Sequence, residues 1–112
     1  MIARMWTGVT LASKADEFAD YIKRTGVPGL LDTTGNQRVF VFRRIAGDRA
    51  HFVMISLWES IAAIKGFAGD DVEKARYYPE DEQFLLWLEP TVNHFDILVD
   101  EKPGRGEELH KQ

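Results

Sequence analysis

Two neighbouring segments of the chain are apolar without the alternation that a strand with one wet face requires. Residues 38–45 and residues 51–58 each contain four consecutive apolar residues, and both are rich in β-branched and aromatic side chains. This composition favours strands, and residues 46–48 (Ala-Gly-Asp) between them predict a hairpin turn. Because successive side chains of a strand point to opposite faces, both faces of the resulting sheet need cover.

Before the hairpin, the pattern predicts a strand, a helix and a loop. The strand covers residues 2–9. Ser13 is the expected N-cap of the helix, and apolar residues recur between positions 15 and 22 at the spacing of one helix face. Gly26, followed two residues later by a proline, predicts the end of this helix. Residues 29–36 are rich in glycine and threonine and are expected to form a loop.

After the hairpin, the pattern predicts two helical segments and a strand. Ser60 caps a helix that Gly69 ends, and Pro79 suits the first position of a further helix. Residues 91–99 form the last strand. The order βαββαβ is that of an α+β, ferredoxin-like antiparallel sheet with both helical segments on one face. The apolar residues expected to form the buried face of this further helix are Phe84, Leu85 and Leu88.

Helices on one face leave the other face of this sheet without cover. At ~25 cal/mol per Å² of apolar surface, exposing a row of phenylalanine, valine and isoleucine would forgo several kcal/mol and promote aggregation. The sequence predicts no further element for that face. We therefore expect a homodimer in which a second copy covers the sheet face through a two-fold contact.

Composition narrows the classes of function. The chain has 112 residues, of which 45% are hydrophobic, and we expect one globular domain over residues 1–99 with a polar tail over residues 100–112. A net charge of −4 argues against a nucleic-acid partner. The absence of cysteine removes disulfides, thiolate nucleophiles and cysteine-ligated metals. No apolar run approaches the ~18–20 residues of a membrane span, so we expect a cytoplasmic protein without membrane contact.

Four stretches of the chain share a family pattern: Ser56-Leu-Trp58-Glu59-Ser60, Ile64-Lys-Gly-Phe67-Ala68-Gly69-Asp70, residues 75–81 and Val92-Asn-His94-Phe95. With them the chain resembles the antibiotic biosynthesis monooxygenase-like family over about residues 1–99. The resemblance implies a dimeric α+β barrel, in which two ferredoxin-like sheets pack face to face. The family holds cofactor-independent oxygenases of aromatic polyketides, haem-degrading enzymes, enzymes of signal metabolites and many members without an assigned activity.

The resemblance implies a role for Trp58, which stands where relatives carry a functional tryptophan in the cleft between helices and sheet. Met54 occupies the position of the oxygenases' asparagine and cannot hydrogen-bond a substrate carbonyl. Arg76 stands near the position at which haem-degrading relatives bind iron through histidine, and arginine cannot ligate iron. Arg4 and Trp6 occupy the stretch in which those relatives carry an asparagine. The resemblance therefore disfavours haem degradation, and no cofactor is expected.

His94 is the histidine nearest the middle of a predicted core strand. Its ordinary pKa suits it to take a proton from a phenol or from a carbon next to a carbonyl. The competing interpretation is a core or interface histidine that pairs with a carbonyl or carboxylate. Asp96 lies on the same strand face as His94, but about 7 Å separates same-face neighbours, so we expect the partner of His94 to come from another strand.

A flat aromatic substrate needs aromatic walls and a group that holds an oxygen. Arg4 lies on a strand that is central in this fold and could hold a carboxylate or enolate, and either Arg4 or Tyr78 could polarise an oxygen. Arg38, Arg43 and Arg44 are also strand arginines, and one that points into the cleft could do the same, although such residues more often snorkel or pair with acids at a sheet edge. The candidate pocket residues are Trp6, Met54, Trp58, Tyr77 and Tyr78, although a small core also uses aromatic residues for bulk.

The acidic run over residues 80–82 does not predict a metal site, because three consecutive helical residues point in different directions and complement the helix dipole. The sequence as a whole predicts a cofactor-independent monooxygenase-like enzyme for a small aromatic or quinol-type metabolite. His94, Trp58 and Arg4 are its expected catalytic residues. The alternative is a non-catalytic homodimer of the same fold, with a small-ligand-binding or structural role.

Overall fold

The computed structural model describes residues 1–104 and contains a four-stranded antiparallel sheet. The strands are β1 (Ile2–Leu11), β2 (Asn36–Ala46), β3 (Arg49–Trp58) and β4 (Asn93–Asp96), in the order β2-β3-β1-β4. This is the ferredoxin-like order, and it confirms the predicted α+β fold. Residues 105–112, which are most of the predicted polar tail, lie outside the described part of the chain.

The helices pack against one face of the sheet through two buried clusters. Phe18 meets Phe52 of β3 with ring centroids 4.9 Å apart, and Trp58 packs with Leu30 and Ile64. None of the described helices combines the length and apolarity needed to cross a bilayer. The helical elements are α1 (Ala15–Arg24), α2 (Gly26–Leu31) and α3 (Ile61–Ala68), with short 3-10 segments at Ala12–Lys14 and Pro79–Gln83.

Helix α3 begins and ends where the sequence predicts. The Ser60 hydroxyl accepts a hydrogen bond from the Ala63 amide at 3.1 Å, which satisfies one of the free donors of the first turn. Gly69 follows the helix with a φ of 84°, a conformation that favours glycine. These two ends fix the position of α3, whose last turn carries Phe67.

The segment around α1 differs from the prediction at both ends. Ser13 lies inside the 3-10 turn, and Lys14 precedes α1 without a side-chain cap. The predicted stop at Gly26 is wrong, because the chain forms α2 there. Pro28 falls in the first turn of α2, where a missing amide donor costs no hydrogen bond, and Leu30 anchors the helix in the core.

The end of the domain is less regular than predicted. The helix predicted from Pro79 is a 3-10 helix of five residues, and Leu88 is largely exposed rather than buried. The chain leaves the helical conformation because Leu86 donates its amide proton to the Val9 carbonyl, so this segment runs beside β1 beyond the end of β4. The last strand is four residues long instead of the predicted residues 91–99.

The sheet face opposite the helices is apolar and is not covered by any of the described helices. Phe42, which pairs with Val53, and Phe95, which pairs with Ala3, point to this face and are 50% and 51% exposed. Phe40 stacks on Phe42 with ring centroids 5.6 Å apart. The face that the sequence predicted to be apolar is therefore open in the single chain.

Candidate active site

A cleft lies between the helix layer and the sheet. Strands β1 and β3 form its floor, and the three helices and residues 76–81 contribute to its walls. About 60 Å³ of the cleft is accessible to water-sized molecules. The whole cleft, including the part open to solvent, measures about 600 Å³. Its lining is mostly aromatic and aliphatic with a few polar groups, which is typical of a small-molecule site.

A row of polar side chains crosses the floor of the cleft. Arg4 of β1 pairs with Ser56 of β3 on one side and with His94 of β4 on the other, so the three side chains share the helix-facing side. The Arg4 guanidinium donates through Nη1 to the Val72 carbonyl and through Nη2 to the Lys74 carbonyl at 3.2 Å. The loop after α3 thereby holds the guanidinium in place.

Arg4 is a buried cation without a counter-ion. The residue is 4% exposed, and within residues 1–104 no carboxylate oxygen lies within 4 Å of its guanidinium. Burial lowers the pKa of Arg4 to about 10, so the guanidinium remains protonated at neutral pH. Because a buried, unpaired charge is costly, a ligand that brings a carboxylate, phenolate or enolate oxygen would offset that cost.

His94 accepts a hydrogen bond from Arg4. The two side chains are 3.1 Å apart (Nη1 to Nε2), and arginine has only donors, so the Nε2 lone pair faces Arg4 and the ring proton is on Nδ1. Burial, and then the charge of Arg4, lower the pKa of His94. The partner that His94 finds on another strand is therefore the Arg4 cation. Because Arg4 engages the Nε2 lone pair, His94 is better suited to orient Arg4 than to act as a base.

Trp6 and Tyr77 form one wall of the cleft. The Trp6 indole N–H donates to the Tyr77 hydroxyl at 3.1 Å, and that hydroxyl donates to the Glu89 carbonyl at 2.6 Å. Because the Tyr77 hydroxyl has used its one proton, the residue offers a ligand its ring rather than a donor. Gly8 makes room for this wall, since a Cβ there would lie 2.4 Å from the Trp6 ring.

Phe67 and Tyr78 line the cleft from the helix side. Arg76 donates to the Phe67 carbonyl at 2.9 Å and lies over the Phe67 ring, 4.9 Å from its centroid. A Cβ at Gly29 of α2 would lie 2.9 Å from the Tyr78 hydroxyl, so α2 approaches this side chain closely. The Tyr78 hydroxyl makes no hydrogen bond within the described part of the chain and is left to meet a ligand.

A carboxylate lines the same cleft. Asp81 is 6% exposed, and its Oδ2 accepts a hydrogen bond from the Tyr78 amide at 2.6 Å, which caps the 3-10 helix. Burial is the main cause of the raised pKa of Asp81. The neighbouring Tyr21 hydroxyl is buried and has no hydrogen-bond partner among the described groups, and burial and the Asp81 charge raise its pKa.

The cleft brings most of the predicted site residues together. The two that do not line it are Trp58 and His94. Trp58 is completely buried and donates its indole N–H to the Ser56 hydroxyl at 2.8 Å, so it contacts the floor residue rather than the open space. His94 supports Arg4. The predicted residues that line the cleft are Arg4, Trp6, Met54, Tyr77 and Tyr78.

Sequence reasoning did not single out several residues that line the cleft, among them Ser56, Asp81 and Phe67. Ser56 is a polar residue in an apolar strand and shares a face with Met54, and this period-two spacing could have revealed it. Asp81 could not be told from its acidic neighbours, since only the fold decides which of them faces inward. Phe67 gave no signal beyond core packing. No cluster of three or more histidine and carboxylate side chains that could hold a metal occurs among residues 1–104.

Several solved structures contain a chain similar to this one, and three of them are compared with it. The haem-degrading protein MhuD of Mycobacterium tuberculosis, with two haems bound in its active site, has a TM-score of 0.61 and 14% identity over 91% of this chain and 100% of MhuD. A MhuD variant with two manganese protoporphyrin IX molecules per active site has a TM-score of 0.59 and 14% identity over 92% and 100%. A protein of unknown function from Nitrosomonas europaea has a TM-score of 0.62 and 12% identity over 93% and 95%.

Neither a protein-family model nor a curated protein matches the sequence. Identities of 12–14% show a common fold and nothing further about activity. The matches extend over 91–93% of this chain. The chain therefore shares the ferredoxin-like α+β fold of these proteins.

Proposed function

We propose that the protein is a cofactor-independent monooxygenase-like enzyme that acts on a small aromatic or quinol-type metabolite in this cleft. The observation that carries the proposal is Arg4, a buried cation that has no counter-ion within residues 1–104 and that lies on the floor of an aromatic-walled cleft. A phenolic or enolic substrate supplies the missing negative charge once its hydroxyl ionises. The aromatic walls supply the contact area for a flat ring.

The chemistry assigned to the cleft is the activation of the substrate rather than of a cofactor. The Arg4 guanidinium lowers the pKa of a substrate hydroxyl that lies against it, since it stabilises the anion in a site from which water is largely excluded. The electron-rich anion can then pass an electron to dioxygen. His94 keeps the guanidinium oriented, Tyr78 offers a hydroxyl to a second substrate oxygen, and Trp58 supports the floor through Ser56.

Oxygen uptake with a panel of anthrone- and quinol-type compounds tests the proposal. We expect uptake with the wild type and a loss of about 100-fold in kcat for Arg4→Met, because one preorganised donor to a developing anion is worth that much. Arg4→Lys should retain part of the rate, since it keeps the charge. Arg43→Met is the matched control, because Arg43 pairs with Asp16 on the surface. Equal rates of oxygen uptake in Arg4→Met and Arg43→Met would contradict the proposal.

Haem fits the described cleft poorly. MhuD is a haem-degrading protein, and haem iron in proteins is commonly held by a histidine nitrogen. No histidine lines the cleft among residues 1–104, and the Nε2 of His94 is engaged by Arg4. Titration of the protein with haem tests this point, and we expect no shift of the Soret band.

The alternative is a non-catalytic small-ligand-binding or structural homodimer of the same fold. Met54 favours it, because this apolar side chain lines the cleft where a polar one would orient a substrate carbonyl. Binding of phenols without oxygen uptake from any compound of the panel would support the ligand-binding form of this alternative. If the protein binds neither phenols nor their anions, the structural homodimer is the form of this alternative that remains.

We also propose that two copies of the chain pair through the open sheet face. The face is about 30 Å long and about 20 Å wide, as strands of ten residues and the spacing of four strands require, and so offers about 600 Å². This approaches the ~800 Å² per partner of a standard interface. A self-complementary apolar surface suits a two-fold contact with a second copy. The cleft lies on the other side of the sheet and stays accessible in such a dimer.

A further inference from the structure

We infer that Asp81 accepts the proton of the substrate hydroxyl in this cleft, an inference that rests on the proposed function. A cleft that binds a phenol as its anion needs an acceptor for the proton. Among the described residues that line the cleft, Asp81 is the only carboxylate. His94 lies outside the lining, and its free nitrogen lone pair is already directed at Arg4. The geometry thus leaves Asp81 as the available base.

The surroundings of Asp81 suit a carboxylate that changes its protonation state. One oxygen, Oδ2, accepts the Tyr78 amide proton at 2.6 Å, and the other is not hydrogen-bonded to any described group. The Tyr21 hydroxyl lies close enough to influence the pKa of Asp81, yet it is buried without a hydrogen-bond partner. Tyr21 is not among the residues that line the cleft, and its hydroxyl and the Asp81 carboxyl each affect the pKa of the other, so the two form a buried pair beside the cleft.

Burial strengthens Asp81 as a base. Its pKa is raised, chiefly because the carboxylate has lost water, and a carboxyl of higher pKa binds a proton more readily. The bond to the Tyr78 amide holds the Asp81 carboxylate at the cleft wall, whereas Glu80 and Glu82 of the same 3-10 helix are exposed.

The step balances without any oxidant. The substrate O–H bond breaks, a new O–H bond forms on Asp81, and the electron pair stays on the substrate oxygen beside Arg4. The lining holds two cations, Arg4 and Arg76, and one anion before the step, and the site holds the same charges after it. Because the negative charge only moves from Asp81 to the substrate, no net charge has to enter the buried site. Reaction with dioxygen begins only after this transfer.

Binding of methyl 4-hydroxybenzoate tests the inference. This phenol is protonated in water at neutral pH, and its phenolate absorbs at longer wavelength, so absorbance reports its state when bound. Calorimetry in two buffers of different ionisation enthalpy counts the protons released. For the wild type we expect a bound phenolate with no net proton release. For Asp81→Asn, which keeps an oxygen for the Tyr78 amide, we expect about one proton released per bound phenolate. Glu82→Gln should match the wild type.

Each other outcome is decisive. Release of one proton per phenolate by the wild type overturns the role of Asp81 and leaves the proposed function intact, and this measurement needs no variant to fold. Phenolate bound by Asp81→Asn without proton release assigns the acceptor to another group and also overturns the inference. A probe that binds only in its neutral form, or not at all, overturns the proposed function and the inference together.

Discussion

Arg4 is the residue on which the site depends. Its guanidinium is held by two backbone carbonyls and by His94, so its position is fixed before any ligand arrives. Such preorganisation is what makes a buried donor effective toward a developing anion. The same arrangement lowers the pKa of His94, since burial and the adjacent cation both disfavour its protonation.

The two roles considered for His94 can be separated by His94→Gln. The glutamine side chain retains an oxygen that can accept the Arg4 hydrogen bond but cannot act as a base at neutral pH. We expect kcat for quinol oxidation within about tenfold of the wild type and an unchanged pH profile of the rate. His94→Leu, which removes the acceptor, should be slower. A collapse of the rate in His94→Gln that matches His94→Leu would instead identify His94 as the base.

Asp81 should destabilise the folded protein at neutral pH. Its pKa in the folded state is raised above the ordinary 3.8, so the folded state binds more protons in the interval between the two values. The free energy of unfolding therefore falls as the pH rises through that interval. We expect Asp81→Asn to raise Tm at neutral pH and to leave it unchanged at pH values below about 3.8. Thermal unfolding at both pH values, with Glu82→Gln as control, measures this. A lower Tm of Asp81→Asn at neutral pH would contradict it.

At the scale of the elements, short helices rather than long ones shape the cleft. Helix α2 has six residues and α3 has eight, and each brings one aromatic contact into place, through Gly29 against Tyr78 and through Phe67. Isolated helices of this length are unstable, so their ends and their buried side chains have to hold them. Removal of the N-cap of α3 therefore tests how much a helix end contributes to the stability of the cleft wall.

Ser60→Ala should lower the free energy of unfolding by about 1 kcal/mol, because the Ala63 amide loses its partner. Ser13→Ala is the matched control: Ser13 was a predicted cap but does not cap α1, so its loss should cost less than about 0.5 kcal/mol. Chemical denaturation of both variants measures the difference. Equal effects would show that the Ser60 hydroxyl contributes nothing to α3.

At the scale of the whole molecule, the sheet separates two surfaces of different character. One surface, under the helices, carries the cleft, and the other is apolar and open. The strands therefore need apolar side chains at both parities, which is the unusual pattern that the sequence displays. A dimer through the open surface would bury that pattern without blocking the cleft.

Phe42→Lys should convert the proposed dimer into a monomer, because it places a charge in the middle of an apolar interface. Light scattering at micromolar concentration gives the mass, and we expect twice the chain mass for the wild type and one chain mass for the variant. Leu31→Lys is the control, since Leu31 is similarly exposed but lies on α2, on the helix side. A wild type that is monomeric at this concentration would refute the dimer.

Residues that are neighbours along the chain predict the order of the strands, the cap at Ser60 and the two-faced sheet, because each of these follows from a local pattern. The folded chain is needed to show that Arg4 meets His94 and the loop carbonyls, that Asp81 rather than Glu80 lines the cleft, and that Trp58 lies beneath it. These contacts join residues far apart in the chain. Their geometry depends on strand register and on packing between distant segments, and local patterns encode neither.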